Sequence, residues 1–315
     1  MSGLRIVATA EVPPVARRAF APLGEIVVDP CDPGAEVLIV RGGAIGAHEL
    51  SRLTRLRAIA RTGAGYDNLD VAAATALGVP IVYAPGVGSQ PIAEGAVALL
   101  LAAAKRLGEF GAVVNGGRWE ARYNPLPLDL EGACLGVIGL GSIGRRVARL
   151  CRALGMEVIA YDPGLDPFTA GHAELVAFEE LLERADAITL HCALTDDTRG
   201  LVDRRFLARV KPGAILVNVA RGAIVESEDA LADALATGQL SAVALDVFPG
   251  EPPRRHRLYD DPRTICTPHA IGLSACWNEQ VFHSLARDVA ALLAGEAPAN
   301  LLNPEALTGV PQRFA

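Results

Sequence analysis

Three side chains in the last third of the chain suit oxidation or reduction at a carbonyl: Arg221, Glu251 and His269. Hydride transfer to a carbonyl needs a proton donor at the oxygen. It also needs positive charge to hold an anionic substrate and polarise the C=O bond. His269 stands in ICTPHAIG, beside Pro268 and just past an apolar run read as a strand. Imidazole ordinarily titrates at ~6.5, so it can give or take a proton near neutrality. Arg221 stands in ILVNVARGAIVE, after another apolar run and before Gly222. A guanidinium there can grip a carboxylate in two places. Asp246 and Glu251 stand in ALDVFPGEPP, at a strand end and in the turn beyond it. A carboxylate such as Glu251, if near the imidazole, orients the ring. Each residue alone has a plainer reading. Arg221 fits a surface ion pair equally well, the two acids fit turn or capping roles, and a lone histidine is more often structural. His48, His172, His191, His256 and His283 are read as structural, with His191 the open case because it ends a strand.

A second constellation points to a dinucleotide. LGVIGLGSIGRRVARL places Gly139, Gly141 and Gly144 in a GxGxxG pattern between an apolar strand, Cys134–Ile138, and a helix that opens at Ser142. The pattern is weak by itself and specific in that context. Gly139 permits the tight turn, Gly141 lets backbone approach a pyrophosphate, and Gly144 lets helix and strand pack closely. The helix start at Ser142 and Ile143 offers free N–H groups and a partial positive charge. The next strand, EVIAYD, ends at Asp162, whose carboxylate suits the ribose hydroxyls and repels a 2′-phosphate. Pro163 and Gly164 follow it, not an arginine, which favours NAD over NADP.

These groups need a scaffold that gathers strand ends. Strands are expected at Leu4–Ala8, Glu36–Val40, Ala58–Ala60, Pro80–Tyr83, Cys134–Ile138, Glu157–Tyr161, Ala187–His191, Ile215–Val219, Val243–Val247 and Thr264–Thr267. Apolar residues at helical spacing mark Ile92–Leu107, Arg145–Leu154, Glu179–Arg184, Glu228–Ala236 and Ala275–Leu293. Strands alternating with helices imply parallel sheets covered on both faces. Breaks rich in proline and glycine divide the chain into 1–90, an inserted α/β domain over 91–275 and a return to the first domain over 276–315.

Bulk properties exclude other classes. With 315 residues, 51% hydrophobic and 21% charged, the chain can bury two cores. A net charge of -7 gives no basic face for nucleic acid. The longest apolar run, Ala96–Ala104, is too short for a membrane span, and MSGLRIVATA does not read as a leader. Six cysteines without a CxxC pair read as small core residues in a reducing compartment, so the expected location is the cytoplasm. No metal site is expected.

Nearly the whole chain resembles the D-isomer-specific 2-hydroxy acid dehydrogenase family. The motifs carrying the resemblance are RTGAGYDNLD, GVPIVYAPG, PIAEGAVALLL, GLGSIG with YDP, HCALTDDTRGLVD, VKPGAILVNVARGAIVE, LDVFPGEP and TPHAIGLS. The resemblance implies two doubly wound domains: a Rossmann NAD-binding domain inserted into a flavodoxin-like substrate domain, with a cleft that closes on substrate. It implies NAD as cofactor, a small D-2-hydroxy or 2-keto acid as substrate, and a homodimer. Arg221, Glu251 and His269 fall on the family's catalytic residues. Gly63, Ala64 and Gly65, with Arg221, fall on its substrate-carboxylate site. Cys192, Val219, Ala220 and Gly272 fall on residues lining the cofactor, and Asp246 on an acid beside the nicotinamide. Tyr66, Val87 and Trp277 are candidates for the pocket around the acid's C3 group.

The chain departs from the family pattern at Pro91, Ala193, Ile271 and the basic run Arg254–Arg257. These leave the catalytic trio intact and bear on substrate identity and cofactor contacts. The alternatives are an NAD-dependent corepressor-like binding protein, a related enzyme acting on formate or phosphite, and an L-specific lactate/malate-type enzyme. The last places its glycine fingerprint near the N-terminus, whereas here it starts at Gly139.

Overall fold

A computed structural model describes residues 3–30, 32–63, 65–166 and 170–308. Ala64, assigned above to the substrate loop, and Cys31 lie outside the described residues. Contacts divide the chain into two compact units, Met1–Gly88 with Leu273–Ala315, and Ser89–Gly272.

The first unit is built on five parallel strands: β1 (Leu4–Ala8), β2 (Gly24–Val28), β3 (Val37–Val40), β4 (Ala58–Arg61) and β5 (Ile81–Tyr83). Their order, β2-β1-β3-β4-β5, is the flavodoxin-like one. One face packs on the helices Pro14–Phe20 and Ala275–Leu293 through Phe20, Val281, Phe282 and Leu285. The other packs on the helices Ala47–Arg52 and Val71–Ala76 through Leu50, Leu53 and Ala74. Trp277 and Val87 belong to the first of these cores, so Trp277 is buried packing, while Tyr66 is exposed. Near the chain's end, Asn303 ties the return segment to β5. Its Oδ1 accepts from the Ile81 N–H at 2.7 Å, and its Nδ2 donates to the Val79 carbonyl at 3.0 Å.

The second unit holds seven parallel strands: β6 (Cys134–Ile138), β7 (Glu157–Tyr161), β8 (Glu174–Leu175), β9 (Ala187–Leu190), β10 (Ala214–Asn218), β11 (Leu240–Leu245) and β12 (Thr264–Cys266). The order is β12-β11-β10-β9-β6-β7-β8, which reverses at the β6–β9 pair. Strands β6, β9 and β10 are buried along their whole length. Apolar cores cover both faces, which explains why these strands read as continuous hydrophobic runs and not as alternations.

Several boundaries differ from the sequence reading. Strands β2 and β8 were not expected; GEIVV is short and begins on glycine, and β8 spans two residues. Strand β11 starts three residues before the expected Val243. The expected helix Ile92–Leu107 is Ser89–Ala104, followed by a separate helix, Leu107–Asn115. Arg106, at φ 56°, breaks the run between them. Pro91 sits in the first turn of the earlier helix, where an N–H has no intrahelical partner and proline removes no bond.

Of the cysteines, Cys134 and Cys151 are buried, as expected of core residues, while Cys266 and Cys276 are exposed. None of these, nor Cys192, is in a disulfide. Among the described residues, no helix is long and apolar enough to cross a membrane.

Candidate functional site

Because the strands of the second unit run parallel, the residues following them share one edge of the sheet. Across that edge stand Asp162 after β7, Gly139 after β6, Cys192 after β9, Val219–Arg221 after β10, Asp246 after β11 and His269 after β12. From β6 to β12 are four strand spacings, roughly 19 Å at ~4.8 Å each, so one end can serve phosphates while the other serves chemistry. The edge includes the point where strand order reverses, the usual ligand crevice of open α/β sheets.

The fingerprint glycines do three different things. Gly139 has φ 90°, and a Cβ on it would lie 2.5 Å from the Cys192 nitrogen. The loops after β6 and β9 therefore touch backbone to backbone. A Cβ on Gly144 would lie 2.2 Å from the Gly139 carbonyl oxygen, so only glycine lets this helix sit so close to β6. A Cβ on Gly141 would meet nothing within 4 Å. Its bareness serves no internal packing and leaves the backbone approachable. The helix Ser142–Ala153 has no side-chain cap at its N-terminus, which leaves its first N–H groups for an anion. Ser142 Oγ instead meets Ser89 Oγ at 2.9 Å and accepts from Arg146 at 2.9 Å.

Asp162 is bound into the same loop. Its Oδ2 accepts from the Leu140 N–H at 2.8 Å and its Oδ1 from the Gly164 N–H at 3.1 Å. A carboxylate offers about four acceptor positions, so ribose hydroxyls can still be served. An open glycine, an uncapped helix start and an acid at the second strand fit a dinucleotide. Replacing Asp162 by alanine is expected to reduce the preference for NADH over NADPH. The check is the ratio of kcat/KM for the two cofactors; an unchanged ratio removes Asp162 from the ribose site.

His191 and Cys192 follow β9. His191 Nε2 pairs with Thr189 Oγ1 at 2.9 Å, and its buried Nδ1 has no hydrogen-bond partner. Burial pushes the imidazole down to about 3, so it stays neutral. Below the ordinary histidine value of ~6.5 the unfolded chain takes a proton that the folded chain refuses. The unfolded state then binds more protons, and stability falls as the pH drops from ~6.5 towards 3. Substituting His191→Gln should reduce the loss of unfolding free energy between pH 7 and pH 5 by about 2 kcal/mol. Denaturant titrations at the two pH values measure it, and an unchanged loss assigns the acid sensitivity elsewhere. Burial also pushes the Cys192 thiol up to about 11, which keeps it neutral and unreactive.

The candidate reacting groups occupy the other end. His269 Nδ1 lies 2.7 Å from Glu251 Oε2, and Glu251 Oε1 accepts from the Phe248 N–H at 3.2 Å. Glu251 is therefore oriented by its own turn and in turn orients the ring. Both side chains are partly exposed, at 49% and 40%, so the pair matters for geometry more than for stability. A Cβ on Gly222 would lie 1.9 Å from the Phe248 carbonyl carbon, so the turn bearing Arg221 packs directly on the turn leading to Glu251. Arg221 NH1 donates to the Ala220 carbonyl at 2.7 Å.

Two buried polar residues complete this end. Asn218, fully buried, accepts from the Ala220 N–H at 3.0 Å and donates to the Arg221 carbonyl at 2.9 Å. It was not among the sequence candidates; the signal was a polar residue closing the apolar run AILV. Asp246 is 3% exposed, and its carboxylate faces the turn that bears His269. Burial pushes its carboxyl above the usual value, against hydrogen bonds from Thr267, Ala270 and Ile271 that pull it down. Among the cofactor-lining candidates, Val219 and Ala220 are buried beside Asn218. Gly272 approaches the helix Ser89–Ala104, where a Cβ on it would lie 2.5 Å from Ile92 Cγ1.

The departures also find places. A Cβ on Gly95 would lie 2.3 Å from Ile271 Cγ1, so the larger residue fills space that glycine leaves open. The Ala193 carbonyl accepts from Thr198 Oγ1 at 2.6 Å. In the basic run, Arg257 pairs with Asp229 at 3.0 Å and Asp233 at 2.7 Å, anchoring it to the helix Glu228–Thr237. In the first unit, Gly63 has φ 120° with open space where a Cβ would stand. It follows β4 by two residues and keeps a bare backbone, as does Gly43, at φ 74°, after β3.

Comparison with known proteins adds an independent line. The family model described as "D-isomer specific 2-hydroxyacid dehydrogenase, NAD binding domain" matches residues 97–270. A D-3-phosphoglycerate dehydrogenase of Mycobacterium leprae is 40% identical over 274 residues, 86% of this chain and 52% of that protein. The chain thus spans about half the length of the phosphoglycerate dehydrogenases it matches. A glyoxylate reductase of Thermococcus litoralis is 36% identical over 270 residues, covering 83% of this chain and 81% of that one. A solved structure from Thermus thermophilus is 34% identical with a TM-score of 0.87, covering 95% of this chain and 100% of that one.

Proposed function

Because the chain belongs to the D-isomer specific 2-hydroxyacid dehydrogenase family and carries its NAD-binding domain, we propose that it interconverts a small 2-keto acid and its D-2-hydroxy acid. The observation that carries this reading is the 2.7 Å pairing of His269 Nδ1 with Glu251, on the sheet edge that also bears Arg221 and the glycine fingerprint. With Nδ1 engaged by a carboxylate, Nε2 is the ring nitrogen left to exchange a proton with the substrate. His269 is the general acid in reduction, protonating the C2 oxygen, and the base in oxidation. Arg221 holds the substrate carboxylate and polarises the C2 oxygen. Glu251 keeps the imidazole in its working tautomer and direction.

When bound, NADH supplies the hydride. Gly139, Gly141, Ser142, Ile143 and Gly144 are proposed to hold its pyrophosphate, and Asp162 its ribose. Cys192, Val219, Ala220 and Gly272 are proposed to line the rest. Gly63 and Gly65 are proposed to offer backbone N–H groups to the substrate carboxylate, as expected of them together with Ala64. A keto-acid panel, including glyoxylate and hydroxypyruvate, tests the reading through loss of NADH absorbance at 340 nm. Reduction of at least one keto acid is expected; none reduced, with NADH bound, contradicts the activity.

A homodimer in the cytoplasm belongs to the same proposal. The helix Leu107–Asn115 buries none of its residues, and Trp119, Tyr123 and Leu126 beyond it are exposed. The segment 107–126 carries two basic and two acidic residues, a neutral patch on a chain of net charge -7, as suits contact between two copies. Sedimentation showing single chains at micromolar concentration contradicts the dimer. Appearance of the native protein in a secreted or membrane fraction contradicts the location.

A further inference from the structure

Gly95 lies inside the helix Ser89–Ala104 and is buried there. Glycine within a helix weakens it relative to alanine, so its presence calls for a local cause. The cause is Ile271. A Cβ on Gly95 would lie 2.3 Å from Ile271 Cγ1, 3.0 Å from its Cγ2 and 3.1 Å from its Cβ. The isoleucine thus enters the notch with its whole branch point, and a β-branched side chain has little rotamer freedom with which to withdraw. The reverse contact lies beside it, where a Cβ on Gly272 would lie 2.5 Å from Ile92 Cγ1. Each segment therefore presents an isoleucine to the other's glycine, and both isoleucines pack against the core of this unit. Ile271 is one of the chain's departures from the family pattern, so its fit to Gly95 is a feature of this chain.

The clasp grips a strained turn. His269 has φ 51°, a left-handed backbone that costs a side-chain-bearing residue free energy and persists only where its surroundings hold it. The Ile271 N–H donates to Asp246 Oδ1 at 3.2 Å, so the turn is tied to the end of β11 by its backbone and to the helix by its side chain. The same helix meets the glycine fingerprint at its start, where Ser89 Oγ lies 2.9 Å from Ser142 Oγ. One helix thus registers the fingerprint turn against the histidine turn.

We propose that Gly95 and Ile271 are a positioning pair: the isoleucine seated in the glycine notch holds the His269 turn against the helix Ser89–Ala104 and so aims the imidazole. Such preorganisation has a large effect, since a misplacement of about 1 Å in a reacting group can cost 10²-fold in rate. The inference rests on the catalytic reading of His269 given above.

The test exchanges size across the contact. Gly95→Ala forces Ile271 out of the notch and should lower kcat about 10²-fold. Ile271→Ala leaves the notch empty and should lower kcat about tenfold, while Ile271→Val keeps both γ-carbons and should stay within about threefold of the parent. The double variant Gly95→Ala, Ile271→Ala should turn over about tenfold faster than Gly95→Ala alone, because only the 3.1 Å contact is then left to relieve. In a His269→Ala background, Gly95→Ala should remove less than about a further twofold, because a residue acting through another is non-additive with it. A merely structural role would lower both backgrounds alike.

A double variant no faster than Gly95→Ala, or an undiminished loss in the His269→Ala background, overturns the proposal. If Gly95→Ala does not fold, the Ile271 variants carry the comparison, and alanine as active as valine overturns it. Hydrogen exchange at the His269 and Ala270 amides reads the turn without turnover. Faster exchange in Ile271→Ala is expected, and unchanged protection overturns the proposal. A parent protein that reduces no keto acid defeats the catalytic reading instead, while this exchange measurement still decides whether the pair holds the turn.

Discussion

Replacing His269 by alanine is expected to lower turnover by roughly 10²–10⁴-fold, the usual size of an acid–base contribution, while NADH binds as before. The two halves of that expectation come from different parts of one sheet edge. His269 follows β12, four strands from the fingerprint loop after β6, so removing its ring leaves the dinucleotide cradle intact. The ring is partly exposed, and its hydrogen bond is to the Glu251 side chain, so little core packing is lost. Steady-state kinetics with NADH and a reducible keto acid, together with a fluorescence titration, measure both quantities. Turnover within a few-fold of the parent removes His269 from the reaction. Lost NADH affinity means that its turn supports the cofactor instead.

Substituting Gly139→Ala should weaken NADH binding by at least about 30-fold and lower the melting temperature. Two costs combine. At φ 90° an L-residue is strained by about 1–2 kcal/mol. The new Cβ would also lie 2.5 Å from the Cys192 nitrogen, 2.6 Å from its Cα and 2.8 Å from the His191 carbonyl carbon. Those are backbone atoms with no rotamer to retreat into, and forced overpacking of this kind costs about 1–3 kcal/mol. Together the costs come to about 2–5 kcal/mol, and 2 kcal/mol alone is about 30-fold in affinity. The relief available is separation of the loops after β6 and β9, at the point where the strand order reverses. Gly141→Ala is the companion variant, because its Cβ would meet no protein atom within 4 Å. Its melting temperature should be unchanged while its NADH affinity still falls. If both variants bind NADH normally, the dinucleotide lies elsewhere.

The parts of this molecule most legible in its sequence are those where one physical cause acts alone. The runs CLGVI, AITL and AILVN are buried on both faces, so hydrophobicity by itself marked the central strands and the α/β class. The fingerprint was legible because a tight turn, a close approach and an uncapped helix start each demand glycine at a fixed spacing. Strand ends were less so, because a parallel strand stops where its neighbour stops pairing, which no local pattern records. The break at Arg106 was hidden because apolar spacing continues through Leu107 into the next helix.

The site was legible as a set of residue types but not as a set of contacts. His269 with Glu251, and Asp162 with the fingerprint loop, are brought together as their types suggested. Asn218 and Gly222 escaped notice because their roles depend on which turns become neighbours, and that is decided by strand order. The direction of the Asp246 carboxylate had the same cause. An acid at a strand end meets whichever turn becomes its neighbour, and only the packing of β11 beside β12 brings the His269 turn to it.

The most direct trial of the whole account is a crystal structure of the protein soaked with NAD and oxalate, a two-carbon mimic of the keto-acid group. It should show the pyrophosphate over Gly139–Gly144, and one oxalate oxygen within hydrogen-bond reach of both His269 Nε2 and the Arg221 guanidinium. Oxalate bound away from both side chains, with the dinucleotide in place, would contradict it.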